Sequence, residues 1–213
     1  MARGVFSASN YFNTATAITA YPFTVSLWFR SSDVTSGLAL FNLTELPSGD
    51  WHNLSYLSSG VVAANSVDFG GTGSASATTG ANLVNDTWHH AAAVFTASNS
   101  RTAYLDGTDK GTDTTETPVN MAGLDEMFLG TFRTTTPATL CEIAEVGVWD
   151  VALDDDDMAQ LGKGFSCRMI KLPNLIHYLP LVRGSQDLRG DFAEVGTVPV
   201  ATSHPPIIGT IAV

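Results

Sequence analysis

With 213 residues and 44% of them hydrophobic, the chain has apolar material for one large packed domain, which excludes a disordered tail. Ten basic residues against 21 acidic ones give a formal net charge of −11. An acidic surface without a basic cluster repels phosphate backbones and excludes nucleic acid as an expected partner. A cation, a neutral sugar or a partner with a basic patch fits better, and plain solubility is the bland reading of the charge.

The N-terminal stretch, Met1 to Asn13, carries Arg3 but no apolar run, so no export through a signal peptide is expected. No window approaches the length of a membrane-spanning helix, and no membrane partner is expected. Pro22 to Ser31 alternates, with Phe23, Val25, Leu27 and Phe29 on one face and Thr24, Ser26, Trp28 and Arg30 on the other. Strands follow at Leu38 to Thr44, at Asn53 to Leu57 after the turn Pro47-Ser48-Gly49-Asp50, and at Val61 to Phe69. Gly70 to Gly80 is small and polar, either a loop or an exposed edge strand. Thr87 to Thr96 is apolar on both faces and predicts a central strand. Asp106-Gly107 between Arg101–Leu105 and Thr108–Thr112 is a hairpin signal. Met127 to Phe132 and Leu140 to Val151 complete a series whose spacing predicts an antiparallel sandwich rather than βαβ units. Its expected core is Phe23, Val25, Leu27, Val94, Phe95, Val146 and Val148, and Trp28, Trp88 and Trp149 also lie in strand patterns.

One helix is predicted. Asp154 is its N-cap, Asp155 to Asp157 load the first turn with negative charge, and Met158 and Leu161 share a face before Gly162 and Gly164 stop it. The division is therefore a sandwich over residues 1–165 and a C-terminal part over 166–213. In that part Ile176 to Leu181 and Asp191 to Val198 form short strands, and prolines keep the end extended. This part either braces the sandwich or docks on a neighbouring subunit.

Phe23-Thr24-Val25-Ser26-Leu27-Trp28-Phe29 resembles an early strand of concanavalin A-like, laminin-G-like jelly rolls. Thr87 to Val94 with Tyr104-Leu105-Asp106-Gly107 resembles their W-H-H-V-A and L-Y-V-D-G strand pair. Phe128-Leu129-Gly130 is similar to their L-x-I-G strand, and Glu142 to Trp149 with Ala152-Leu153-Asp154 to the strand that enters their short helix. The resemblance implies an all-β, two-sheet antiparallel jelly-roll sandwich with one short helix and an extended C-terminal tail. That tail, with P-x-L-I-x-Y-x-P-L-x-x-G from Pro173, D-x-x-G-x-F from Asp187 and H-P-x-I-I from His204, resembles the end of laminin-G-like proteins in bacteriophage structural gene sets. It implies a non-enzymatic virion component assembled in the host cytoplasm, such as a capsid decoration protein, head fibre or tail-associated adhesin. Its partners would be other virion proteins or copies of itself in a homo-oligomer. The alternative is a soluble carbohydrate-binding module, with surface glycans as ligands.

Candidate sites are few. Asp50-Trp51-His52-Asn53 is the best sugar-binding cluster, an aromatic among polar groups after a turn, with Trp51, His52 and Asn53 as the contacts; the structural reading is that Trp51 caps the core. No cofactor is expected except calcium, which laminin-G-like domains often bind. Asp50, Asp106 and Asp109, with Asp125, are its candidate ligands, although Asp106 is equally explained by its turn. Glycan cleavage needs two carboxylates at one bond, and a regular strand puts Glu142 and Glu145 on opposite faces unless a bulge intervenes. His89 and His90 are likewise on opposite faces and cannot chelate one ion. Cys141 and Cys167 form either one disulfide or two isolated thiols.

Overall fold

A computed structural model describes residues 2–46, 49–70, 73–133, 136–137, 140–181, 184–201 and 203–209. The Pro47-Ser48 part of the expected turn, and Gly71-Thr72 in the small polar segment, lie outside the described residues. In chain order the first strands are β1 (Arg3–Gly4), β2 (Tyr11–Ala15), β3 (Phe23–Ser31), β4 (Leu38–Thr44), β5 (Trp51–Tyr56), β6 (Val62–Asp68), β7 (Gly73–Thr78) and β8 (His89–Ala97). Then come β9 (Ser100–Leu105), β10 (Asp109–Asp113), β11 (Glu126–Leu129), β12 (Thr131–Phe132), β13 (Thr136–Pro137) and β14 (Cys141–Trp149). The helix α1 (Asp155–Gly162), β15 (Leu175–Leu179) and β16 (Ala193–Val195) complete the order.

Two antiparallel sheets result. Sheet I runs β1-β14-β3-β8-β9-β10, with β15 also paired to β14, and sheet II runs β16-β2-β11-β4-β5-β6-β7. β12 and β13 pair only with each other. Alternation sets which side chains meet between the sheets. Phe23, Val25, Leu27 and Phe29 of β3 face Phe41, Leu43, Leu54 and Tyr56 of sheet II in one buried cluster. Burying each such side chain contributes about 1.5–3 kcal/mol. Phe23 stacks on its register partner Phe95 at 4.7 Å between centroids. Val94 departs from the expected core. Next to Phe95 on β8 it points to the opposite face, into a second cluster with Trp149, Met158, Leu161 and Tyr178. Trp28 also lies on that outer face of sheet I, in a small cluster with Ala2, Ala144 and Ala201 against which the half-buried Trp88 packs.

The helix is built by its cap. Asp154 accepts from the backbone N–H groups of Asp156 and Asp157, and Asp157 returns a bond to the Asp154 N–H. Met158 and Leu161 are its buried residues.

The segment 73–78 is the edge strand β7 rather than a loop, and buries Ala75 and Ala77. At this edge the two sheets close on each other. A Cβ added at Gly111 of β10 would lie 1.7 Å from the Thr78 carbonyl oxygen of β7. Gly111→Ala must therefore push the sheets apart, and a loss of about 1–3 kcal/mol is expected in urea unfolding. An unchanged midpoint would show that the edges are not held together.

The described residues of the C-terminal part belong to the same sandwich. β15 extends sheet I and β16 extends sheet II. Further on, the Ala201 N–H donates to the Ala2 carbonyl, the Ala2 N–H to the Ser203 carbonyl and the Ile208 N–H to the Gly164 carbonyl. Among the described residues no helix is long and apolar enough to cross a membrane.

Candidate functional site

The outer face of sheet II carries an ordered set of polar side chains. One register line runs Ser76–Asn65–Asn53–Asn42–Phe128–Asn13 across β7, β6, β5, β4, β11 and β2. The next runs Ser74–Val67–Trp51–Thr44–Glu126–Ala15 on the same strands. Residues two apart on a strand share a face, so both lines line one surface. The Asn65 Nδ2 donates to Asn53 Oδ1 at 2.7 Å and to Ser55 Oγ at 2.9 Å. Asn42 Nδ2 donates to the His52 carbonyl, while its buried Oδ1 has no partner among the described residues.

Residues at the start of the β12–β13 hairpin roof the middle of this face. The Arg133 Nε donates to Thr44 Oγ1 at 3.0 Å and its Nη2 to the Gly49 carbonyl at 2.7 Å. Phe132 packs edge-on to Trp51, 5.2 Å between centroids. The open part is therefore over β5 to β7, where Trp51 and Asn65 are half-buried and Ser74 and Ser76 are exposed. An indole wall beside paired amides and hydroxyls can stack on the apolar face of a ring and exchange hydrogen bonds with hydroxyl groups.

Of the three predicted sugar contacts, Trp51 lies half-buried on this surface, and Asn53 faces the same way but is buried, 6% exposed, with its side chain bonded to Asn65. His52 does not. Alternation turns it into the core, 1% exposed, against Phe23 and Phe95. Its Nδ1 pairs with Ser66 Oγ at 2.8 Å and its Nε2 with the Tyr21 hydroxyl at 3.0 Å. Burial, aided by the Arg101 charge, lowers its pKa to about 3, so it stays neutral. The sequence reading missed Asn65 and Ser76, which join the site through strand register alone.

The candidate calcium ligands do not converge. Asp50 accepts from the Phe69 and Asn120 backbone N–H groups, and Asp109 from those of Gly80 and Ala81. Asp125 accepts from the Leu46 N–H. Asp106 accepts from the His89 ring and the His90 N–H. Burial opposes ionisation of Asp106, but these donors outweigh it and hold its pKa below the usual range. Among the described residues no group of three acidic, histidine or cysteine side chains could hold a metal. The two thiols are free. Cys141 lies in the core between the sheets near the Tyr56 hydroxyl, and Cys167 lies in the second cluster near the Glu145 carbonyl.

A bulge does intervene between Ala144 and Gly147, where Glu145 takes a φ of 51°. It corrects the expected opposition of Glu142 and Glu145, and both carboxyls turn to the outer face of sheet I. They are separately engaged. Glu142 is paired with Arg30 at 2.9 Å, and Glu145, 2% exposed, lies beneath Ser166 and Tyr178.

No curated protein matches the sequence. The fold is similar to the heptameric SAP-like pentraxin of Limulus polyphemus, at 14% identity and a TM-score of 0.57 over 91% of this chain and 89% of that one. It is also similar to the Ruminococcus gnavus IT-sialidase CBM40 bound to alpha2,3 sialyllactose, at 15% identity and 0.55 over 76% and 98%. Domains LG4-5 of the mouse laminin alpha1 chain align at 16% identity and 0.53, over 73% of this chain and 43% of theirs. Residues 6–159 match the laminin-G family described as the concanavalin A-like lectin/glucanases superfamily, and the chain belongs to that family.

Proposed function

We propose that the protein is a non-enzymatic, glycan-binding jelly roll whose site is the outer face of β5 to β7. The observation that carries this reading is the alignment of Trp51, Asn65 and Ser76 on three adjoining strands, with the half-buried indole beside the Asn65 amide and the buried Asn53 behind it as that amide's acceptor. The net charge of −11 favours neutral sugars over anionic ones. A non-enzymatic role is supported by the engagement of Glu142 with Arg30 and the sealing of Glu145, which leave no facing pair of free carboxylates on β14. The carbohydrate-binding domain among its structural neighbours adds a precedent on the same fold.

On a glycan array the wild type is expected to bind a set of neutral oligosaccharides. Trp51→Ala and Asn65→Ala should each lower that affinity at least tenfold without changing the melting temperature by more than a few degrees. Equal binding by wild type and both variants would move the site elsewhere, and a blank array would remove the glycan reading.

The setting we propose is a virion surface, as a decoration protein, fibre or tail-associated adhesin, with copies of itself or other virion proteins as partners. The tail motifs support it, and a heptameric neighbour is a precedent for assembly through this fold. Quantitative mass spectrometry of purified particles should find it in fixed stoichiometry. Its absence from particles would leave the soluble binding module.

A further inference from the structure

Glu145 combines a buried carboxyl group with a left-handed backbone. A carboxyl group 2% exposed sits at a bulge, on a left-handed backbone that non-glycine residues seldom adopt. Its backbone N–H donates to the Pro180 carbonyl, and its own carbonyl faces the Cys167 thiol at 3.4 Å. The Tyr178 hydroxyl of β15 lies 3.1 and 3.0 Å from its two carboxyl oxygens and 3.0 Å from Ser166 Oγ. Every one of these partners belongs to the C-terminal segment, so Glu145 is one point at which residues 166–180 are tied to sheet I, beside the β14–β15 ladder and the Trp149 bond to the Ile170 carbonyl. Among the described residues β15 is strand-paired with β14 alone, on the edge that β1 also uses, and its backbone also bonds the turn at Asp187–Arg189 that follows it in the chain.

We propose that Glu145 is a proton-operated latch: protonated, it holds the segment 166–180 on the sandwich; ionised, it loosens it.

The electrostatic surroundings agree. The bulge is opposed on β3 by Leu27, which carries no charge. The titratable groups that face Glu145 are Tyr178 on β15 and Cys167 on the turn before it; burial raises both, so neither ionises near neutral pH. His204 of the tail, beside the Pro180 carbonyl that the Glu145 N–H also bonds, is held below its ordinary value by burial. No cation faces it among the described residues. Burial pushes Glu145 up to about 7, against the weaker pull of the Tyr178 and Ser166 hydroxyls and the Cys167 N–H. With the segment released, the carboxyl regains the ordinary range near 4.5. The released state then binds fewer protons between those limits. Docking is strongest below about pH 4.5, weakens as pH rises to about 7, and is level above.

Amide hydrogen exchange on the intact chain between pH 5 and 8, corrected for intrinsic rates, tests this. Protection over 166–179 is expected to fall on the order of 100-fold from pH 5 to 7 and then level. Glu145→Gln should make that profile flat. Superimposable wild-type and Glu145→Gln profiles would overturn the latch. Should Glu145→Gln not fold, the carboxyl carbon shift of Glu145 in the wild type decides. A midpoint near neutrality, moved higher in Tyr178→Phe, supports the latch, and a midpoint near 4.5 overturns it.

Discussion

Asp187→Ala is expected to cost about 3–5 kcal/mol, the loss for removing one partner of a buried, fully bonded charge. The Asp187 carboxylate is 1% exposed and accepts from five donors. They are the His177 ring at 2.7 Å and the backbone N–H groups of Tyr178, Arg189, Gly190 and Phe192, at 2.8, 3.0, 2.9 and 3.3 Å. The motif Asp187-x-x-Gly190-x-Phe192 thus has a physical reading. The aspartate organises the turn, and a Cβ at Gly190 would meet His177 Nδ1 at 2.0 Å. Phe192 packs edge-on to the same ring at 5.0 Å. Burial would raise the Asp187 pKa, but the His177 and backbone donors outweigh it and lower it to about 2. Its contribution is present above the ordinary value of 3.8 and is lost as pH falls through about 2; it amounts to about 2–3 kcal/mol. Urea unfolding at pH 7 reads the first effect. A series from pH 5 to 2 reads the second, which should vanish in Asp187→Ala. Equal acid sensitivity of the two proteins would contradict the account.

Trp149→Ala should be comparably severe, about 3–5 kcal/mol. Trp149 is fully buried on the outer face of sheet I, among Leu153, Met158, Leu161, Ile170 and Tyr178. Its indole N–H donates to the Ile170 carbonyl at 2.9 Å, and a Cβ at Gly147 would come within 2.4 Å of its ring. One side chain therefore joins β14, the helix and the segment after it. Thermal unfolding of Trp149→Ala should show a single transition far below that of the wild type. A near-native main transition with early loss of the C-terminal part alone would mean that the part folds separately.

The sandwich is legible in the sequence because period-two alternation and turn residues are local signals. Phe23 to Phe29 and the Asp106-Gly107 hairpin show it, as does the Asp154 cap. What stays hidden depends on neighbours distant in sequence. Tyr11 to Ala15 is a five-residue run interrupted by Asn13 and bordered by Ser, Asn and Thr, yet it forms β2 because β11 and β16 flank it. Val94 faces away from the inter-sheet core because a strand apolar on both sides gives no sign of which side is which. The Glu145 bulge is bounded by Gly147, but a single glycine inside a strand does not say on its own which residue is extruded. The binding face is half-visible for the same reason. Trp51 and Asn53 share a face by alternation, which should also have excluded His52, whereas Asn65 and Ser76 join only once strand register is known.

The central claim is that the open part of the outer face of sheet II takes a neutral glycan. The most direct measurement is backbone amide chemical-shift mapping during titration with the tightest array ligand. Shifts concentrated over residues 51–55, 63–67 and 74–76 are predicted. Shifts confined to the rim residues 45–46, 68–70 and 118–120, with 51–55 unmoved, would contradict it.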